Sequence, residues 1–328
     1  MNLERSDATM GNRKDNKRSG AGHSGKGSSN SGPTSSGGQR SDSGSRGPGG
    51  AAGKRRPGSG TGAAGARYRG KPTGANRRPT STPVLTLDEP VRLNRYIASS
   101  GTCSRREADD LINQGLIKLN GEVVSELGTK VSKGDRVMVN GKHIVPVDRE
   151  YLLMNKPTDT ITTTSDEKGR RSVMDLLDAQ EYGTLGLFPV GRLDRHTTGA
   201  LLLTNDGDLA HRLMHPSYVV SKQYLIETRD PVDEKQLTAL QTGVELEDGI
   251  AKADRVSYAD DASPTWLVMS LHEGRNRQVR RMLEALGNEV VKLDRVRYAG
   301  LTTEGIRKGR WRRLSRDEVA VLYRKVKL

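Results

Sequence analysis

No hydrophobic core can be built from the first eighty-eight residues of this chain. Residues 1–88 are dominated by Gly, Ser, Arg and Lys, hold Tyr68 as their lone aromatic, and show no apolar period of two or 3.6. Such a composition cannot bury enough apolar surface to offset chain entropy, so a disordered basic tail is expected over 1–88. Any folded body must come from residues 89–328, long enough for two domains.

Charge follows the same division. The chain carries +14 formally, and residues 1–83 hold 16 Lys+Arg against 4 Asp+Glu, out of 54 and 40 in all. Most of the excess therefore lies in the tail. A second basic block spans residues 271–328, with 16 basic and 7 acidic side chains. This balance implies a polyanionic partner, which the tail serves either as a salt-sensitive arm or only as a solubilising segment. The single cysteine, Cys103, leaves no intrachain disulfide and fits a reducing compartment, so a cytoplasmic protein is expected. No apolar run approaches the roughly 18 residues of a membrane span, and a membrane partner is not expected. His211 and His215 lie four apart without a third ligand at metal spacing, so no metal is expected either.

Residues 89–148 read as a small module of helices followed by strands. Leu93, Ile97 and Ala98 mark a short amphipathic helix stopped at Gly101. A second helix opens on Ser104 and Glu107, the spacing of a capping box, and closes at Gly115. Beyond it, IKLNGEVV and VMVNGKHI each set Asn-Gly between extended apolar segments, the strongest short hairpin signal. Arg92, Arg95, Arg105 and Arg106 lie near the helix ends, with Lys118 and Asn120 on the following strand. On composition, a solvated face explains them as well as phosphate contact does, because Glu107, Asp109 and Asp110 dilute the charge. The stretch RLNRYIAxxGxxSRREADxLIxxGxIxLNG, residues 92–121, resembles an S4 domain. That resemblance implies RNA binding and makes Arg92, Arg95, Ser104, Arg105, Arg106, Lys118 and Asn120 its candidate RNA contacts.

Residues 149–328 alternate apolar extended runs (YLLMNKP, ALLLTND, KQYLIET, TWLVMSL) with helical stretches (DLAHRLM, VDEKQLTALQ, NRQVRRMLEAL). The mixture predicts an α+β domain with a mixed, mostly antiparallel sheet and flanking helices. Within residues 149–328 neither GxGxxG nor GxxxxGK[ST] occurs, which removes the usual nucleotide-phosphate loops from this region. Within LFPVGRLDRHTTGALLLTNDGDLAHRLMHP, Arg192 and Asp194 flank Leu193 ahead of a buried strand, and strand alternation would send both to one side. By themselves these residues fit an ordinary ion pair as well as a nucleophile with an electrostatic partner. Downstream, Tyr224 alternates with Ile226 on a strand. In EGRNRQVRRM, Val279, Met282, Leu283 and Leu286 share one helix face, while Arg277, Arg280, Arg281 and Glu284 share the opposite one.

The run GRLDxxTxGxLLLTNDGxLAxxLxHP, from Gly191 to Pro216, is similar to the signature of the RsuA-type pseudouridine synthase family. The K-x-Y element at Lys222–Tyr224 and GRNRQVRRM at residues 274–282 follow in that family's order, in a form closer to its large-subunit branch. The resemblance implies that Asp194 is the catalytic carboxylate, that Tyr224 lies against the target base, and that Arg280 pairs with Asp194. It makes Arg192 a candidate for filling the space left by a flipped nucleotide, and Arg275, Arg277 and Arg281 candidate RNA contacts. Arg277 stands where many members have histidine, which puts base-edge recognition in doubt.

The implied substrate is ribosomal RNA, 23S RNA or a large-subunit assembly intermediate, with small-subunit 16S RNA as the alternative. No cofactor is implied, since isomerisation changes neither redox state nor atom count, and a monomer is expected. A non-catalytic ribosome-assembly protein would have no need of Asp194, Tyr224 and Arg280 together. A glycosidase-like hydrolase would need a second carboxylate, and Asp206 and Asp208 sit at a helix start, where capping explains them.

Overall fold

The computed structural model describes Leu85 and residues 87–260 and 263–328; the tail expected over 1–88 lies almost wholly outside the described residues. The first elements are β1 (Val91–Arg92), α1 (Leu93–Ser99), α2 (Arg105–Asn113), β2 (Ile117–Leu119), β3 (Glu122–Val123), β4 (Lys130–Val131), β5 (Val137–Val139) and β6 (Lys142–Ile144). Strands β3, β2, β5 and β6 form one antiparallel sheet in that order. Both Asn-Gly pairs turn as expected: Asn120 and Gly121, like Asn140 and Gly141, take positive φ in succession, which a two-residue hairpin of matching twist requires. The α2 capping box is complete, with Ser104 Oγ accepting from the Glu107 amide and Glu107 Oε2 accepting from the Ser104 amide. Leu93, Ile97, Ala108 and Ile112 close the helices over Ile117, Val131 and Val137.

The larger part comprises β7 (Tyr151–Lys156), α3 (Ala179–Tyr182), β8 (Phe188–Pro189), β9 (Thr198–Thr204), α4 (Gly207–Met214), β10 (Lys222–Thr228), α5 (Glu234–Thr242), β11 (Arg255–Tyr258), β12 (Trp266–Leu271), α6 (Gln278–Ala285), β13 (Val290–Tyr298), β14 (Leu301–Thr302), β15 (Trp311–Arg313) and α7 (Arg316–Lys325). Its main sheet runs β11-β12-β10-β13-β9-β7-β15, and only the β13–β9 contact is parallel. The fold is thus the expected mixed, mostly antiparallel sheet with flanking helices.

Strand β9 is buried on both faces, which explains its unbroken apolar run. Leu202 packs with Leu209, Leu213 and Leu322 beneath α4 and α7. Leu201 and Leu203 pack with Tyr182 and Leu193 on the other side. Helix α7 was not marked by the apolar patterning above. It begins with the capping box Ser315–Glu318, a signal that the sequence does carry. Among the described residues no helix is long and apolar enough to cross a membrane.

The start of α4 holds a buried carboxylate and, beside it, the ion pair that joins the two parts. Asp206 caps α4 through the Leu209 amide and accepts hydrogen bonds from the hydroxyls of Tyr151 and Tyr323. Arg149 lies 3.3 Å from the same carboxylate, and Arg95 of α1 pairs with Asp208 on the first turn of α4. Asp206 is fully buried, so removing its cation leaves an uncompensated charge in the interior. Arg149→Met is expected to lower unfolding free energy by about 3 kcal/mol. Arg95→Ala breaks a half-exposed pair and should cost about 1 kcal/mol or less. Urea titration of both variants checks the ranking.

Candidate active site

The segment carrying Arg192 and Asp194 is not the edge of a strand, as alternation suggested, but a loop between β8 and β9 without ladder pairing. Side-chain hydrogen bonds hold it instead. The fully buried Lys156, last residue of β7, donates from Nζ to the carbonyls of Pro157 (3.1 Å), Asp194 (3.0 Å), Arg195 (3.2 Å) and Thr197 (2.9 Å). Thr162 Oγ1 donates to the Leu193 carbonyl at 2.8 Å. The alternation of burial survives: Leu193 is inside, Arg192 is exposed, and Asp194 is half-buried. Burial pushes the Lys156 ammonium down to about 8, against the opposing pull of the Asp194 and Asp159 charges.

Asp194 opens onto a cavity of about 770 Å³ lined also by Lys222, Tyr224, Leu293, Arg295 and Tyr298. Among the described residues, its carboxylate makes no hydrogen bond or ion pair. Tyr224 comes from β10, placed between Met269 of β12 and Arg295 of β13. Lys222 donates to the His272 carbonyl at 2.6 Å, and burial, then the Arg295 charge, pushes it down to about 8. Strand β9 approaches β13 so closely that a Cβ on Gly199 would lie 2.3 Å from the Arg295 carbonyl oxygen. That approach carries the Asp194 loop to the same wall.

Helix α6 supplies Arg280, whose Nη1 donates to the Val290 carbonyl at 2.8 Å. Burial lowers its pKa and the Asp194 charge acts the other way, so the two interact through space without the direct pair that the resemblance implied. The three arginines expected on one face diverge. Arg277 precedes the helix in a left-handed conformation, lies 3.5 Å from Glu284, and lines a second, basic cavity of about 790 Å³ with Lys168 and Arg192. Arg281 forks onto Asp248 at 3.0 and 2.9 Å. Arg275 ties down the carbonyls of Gly249 and Ile250 and pairs with Glu273.

Several candidates in the small module are likewise engaged within the protein. Ser104 caps α2, Asn120 binds Asp135 and the Arg136 amide, and Arg95 holds Asp208. Arg92 donates to the Leu127 carbonyl and Arg105 reaches Asn94 at 3.5 Å, both from exposed positions. Arg106 and Lys118 are exposed. Lys156, Thr197 and Arg295 were not singled out from sequence. The only hints were a lysine closing the apolar run YLLMNKP and an arginine within the apolar alternation of VVKLDRVRY.

Comparison with known proteins agrees with this architecture. The family model described as RNA pseudouridylate synthase matches residues 150–285, and that of the S4 domain matches residues 91–137. Ribosomal large subunit pseudouridine synthase B of Bacillus subtilis (strain 168) is 42% identical over 231 residues, covering 70% of this chain and 93% of that protein. Dual-specificity RNA pseudouridine synthase RluF of Escherichia coli (strain K12) is 38% identical over 240 residues, 72% of this chain and 80% of that one. A crystal structure of a pseudouridylate synthase is 30% identical, with a TM-score of 0.51 over 71% of this chain and 99% of the other. A chain with this fold, an S4 domain ahead of it, and relatives matched over most of their length belongs to the pseudouridine synthase family of RNA-modifying isomerases.

Proposed function

We propose that this protein converts a uridine of ribosomal RNA to pseudouridine with Asp194 as its catalytic carboxylate, and that its substrate is 23S RNA or a large-subunit assembly intermediate. The observation that carries the assignment is an unpaired carboxylate, on a loop clamped by a buried lysine, facing a cavity shared with Tyr224. The large-subunit substrate rests on the name of the Bacillus relative. The single cysteine fits a reducing compartment, and we read the protein as a monomer acting in the cytoplasm.

Isomerisation breaks the N1–C1′ bond and rejoins the base through C5. An ionised oxygen near the anomeric carbon is required, whether it adds to C1′ or removes a sugar proton. Arg280 and the Asp194 carboxylate attract each other through space across this site. The nucleotide must leave its stack to reach the cavity, at a cost of a few kcal/mol. Tyr224 offers a stacking face for the base, and the exposed Arg192, at the mouth of both cavities, is placed to fill the vacated space or hold phosphate. Arg92, Arg105, Arg106, Lys118 and Arg277 are the exposed cations that would meet the RNA backbone.

The test uses ribosomal RNA from a strain lacking the protein, treated with carbodiimide and mapped by primer extension. Wild-type protein should restore one stop. Asp194→Ala should reduce modification by about 1,000-fold or more, with stability changed by no more than about 0.5 kcal/mol because the carboxylate has no protein partner. Restoration by Asp194→Ala at the wild-type level would refute the assignment.

Lys156 and Lys222 set the pH dependence. Single-turnover rate should fall as pH rises through about 8, where the ammonium groups that brace the Asp194 loop and the cavity wall lose protons. Stability should move the other way. Both folded pKa values lie below the ordinary 10.5, so above about 8 the unfolded chain holds more protons and these groups raise unfolding free energy with pH. Urea midpoints that fell in step with the rate between pH 8 and pH 10 would contradict this account.

A further inference from the structure

Arg295 has no part in the steps assigned to Asp194, Tyr224 and Arg280, yet it is the most deeply placed cation of the cavity wall, 3% exposed. One edge of its guanidinium is fixed, with Nε donating to the Ala200 carbonyl at 2.8 Å, and the Tyr298 ring lies 4.6 Å away. The Nη2 amino group is buried without a hydrogen-bond partner, and so is Thr197 Oγ1. A buried polar group left unmatched costs about 1–3 kcal/mol, more when charged. Two such atoms, on residues lining one cavity with Asp194, mark a place where a bound molecule supplies the partners.

The register explains how they meet. Arg295 lies directly opposite Tyr224 across the β13–β10 ladder, so both side chains rise from one face of the sheet. On its other side Arg295 pairs with Gly199, two residues beyond Thr197. Tyr224, Tyr298 and Leu293 give the surrounding wall flat and apolar surfaces, which suit a planar base better than a hydrated phosphate.

We propose that Arg295 and Thr197 form an acceptor site for the departing uracil, in which Arg295 Nη2 donates to a carbonyl oxygen of the base and the Thr197 hydroxyl completes its hydrogen bonding. When N1–C1′ breaks, the bonding electron pair leaves with the base and spreads over N1, O2 and O4. The electron-poor sugar is met by Asp194, through a bond to C1′ or by giving up a proton to the carboxylate. The base then turns, C5 returns an electron pair to C1′ as the Asp194–C1′ bond breaks or the carboxylate gives the sugar proton back, the C5 proton passes to water, and N1 takes a proton from water, so the product is an isomer of the substrate. Arg295 keeps its protons throughout and holds charge that exists only between bond breaking and bond making, where a fixed donor in a water-excluded site acts most strongly.

This inference rests on reading the cavity as the uridine site, and wild-type modification of uridine RNA tests that reading separately. The experiment measures single-turnover cleavage of the N1–C1′ bond at saturating enzyme, with RNA carrying uridine or 5-fluorouridine at the target. Fluorine stabilises the ring anion and lessens the need for Arg295. Arg295→Met is expected to lose about 100-fold on uridine but only about tenfold on 5-fluorouridine, with Arg295→Lys between Arg295→Met and wild type. Thr197→Val removes a hydroxyl that bonds nothing in the protein, so its melting temperature should not fall while its rate drops about tenfold. Should Arg295→Met fail to fold, Arg295→Lys carries the same two-substrate comparison. Equal losses on both RNAs together with a wild-type rate for Thr197→Val overturn the proposal. So does an Arg295 effect confined to Kd and its salt dependence, the signature of a phosphate contact.

Discussion

A lysine ammonium in a protein interior must be surrounded by acceptors or it will not stay there. Lys156 is fully buried, and its acceptors are main-chain carbonyls of the loop between β8 and β9 and of Pro157. The loop therefore wraps around one cation at the end of a core strand. Asp194 contributes its carbonyl to that wrap, which leaves its carboxylate free to face the cavity. The arrangement fixes the backbone of the proposed catalytic residue without a partner on its side chain.

The sheet does the remaining positioning. β13 lies between β10 and β9, antiparallel to one and parallel to the other, and joins the wall that carries Tyr224 to the loop that carries Asp194. The parallel contact brings backbones close enough to require glycine at position 199. Lys222, Tyr224, Leu293 and Arg295 consequently reach one cavity from two strands. The S4 domain is held to this body by the pair between Arg95 of α1 and Asp208 at the start of α4, beside the buried pair of Asp206 with Arg149. Side chains that composition alone would assign to RNA, Arg95, Arg275 and Arg281, complete contacts within the protein. The exposed Arg106 and Lys118 remain for a partner.

Local signals in the sequence determined the elements and their types. Asn-Gly pairs flanked by extended residues turn as hairpins because consecutive positive φ values are cheap only there. The Ser-x-x-Glu capping box starts α2, and the apolar face of α6 buries Val279, Met282 and Leu283. The motif running from Gly191 carried the family, and with it the expectation for Asp194, Tyr224 and Arg280. Tertiary structure decided which charges are free. The arginines at 277, 280 and 281 share a face on an ideal helical wheel, yet Glu284, Val290 and Asp248 draw them apart. Lys156 and Arg295 looked like incidental charges in apolar strands, because the carbonyls and rings that surround them come from residues distant in sequence. Periodicity reports which way a side chain points; what it meets depends on strand order and register, which pair residues as far apart in sequence as Met154 and Trp311.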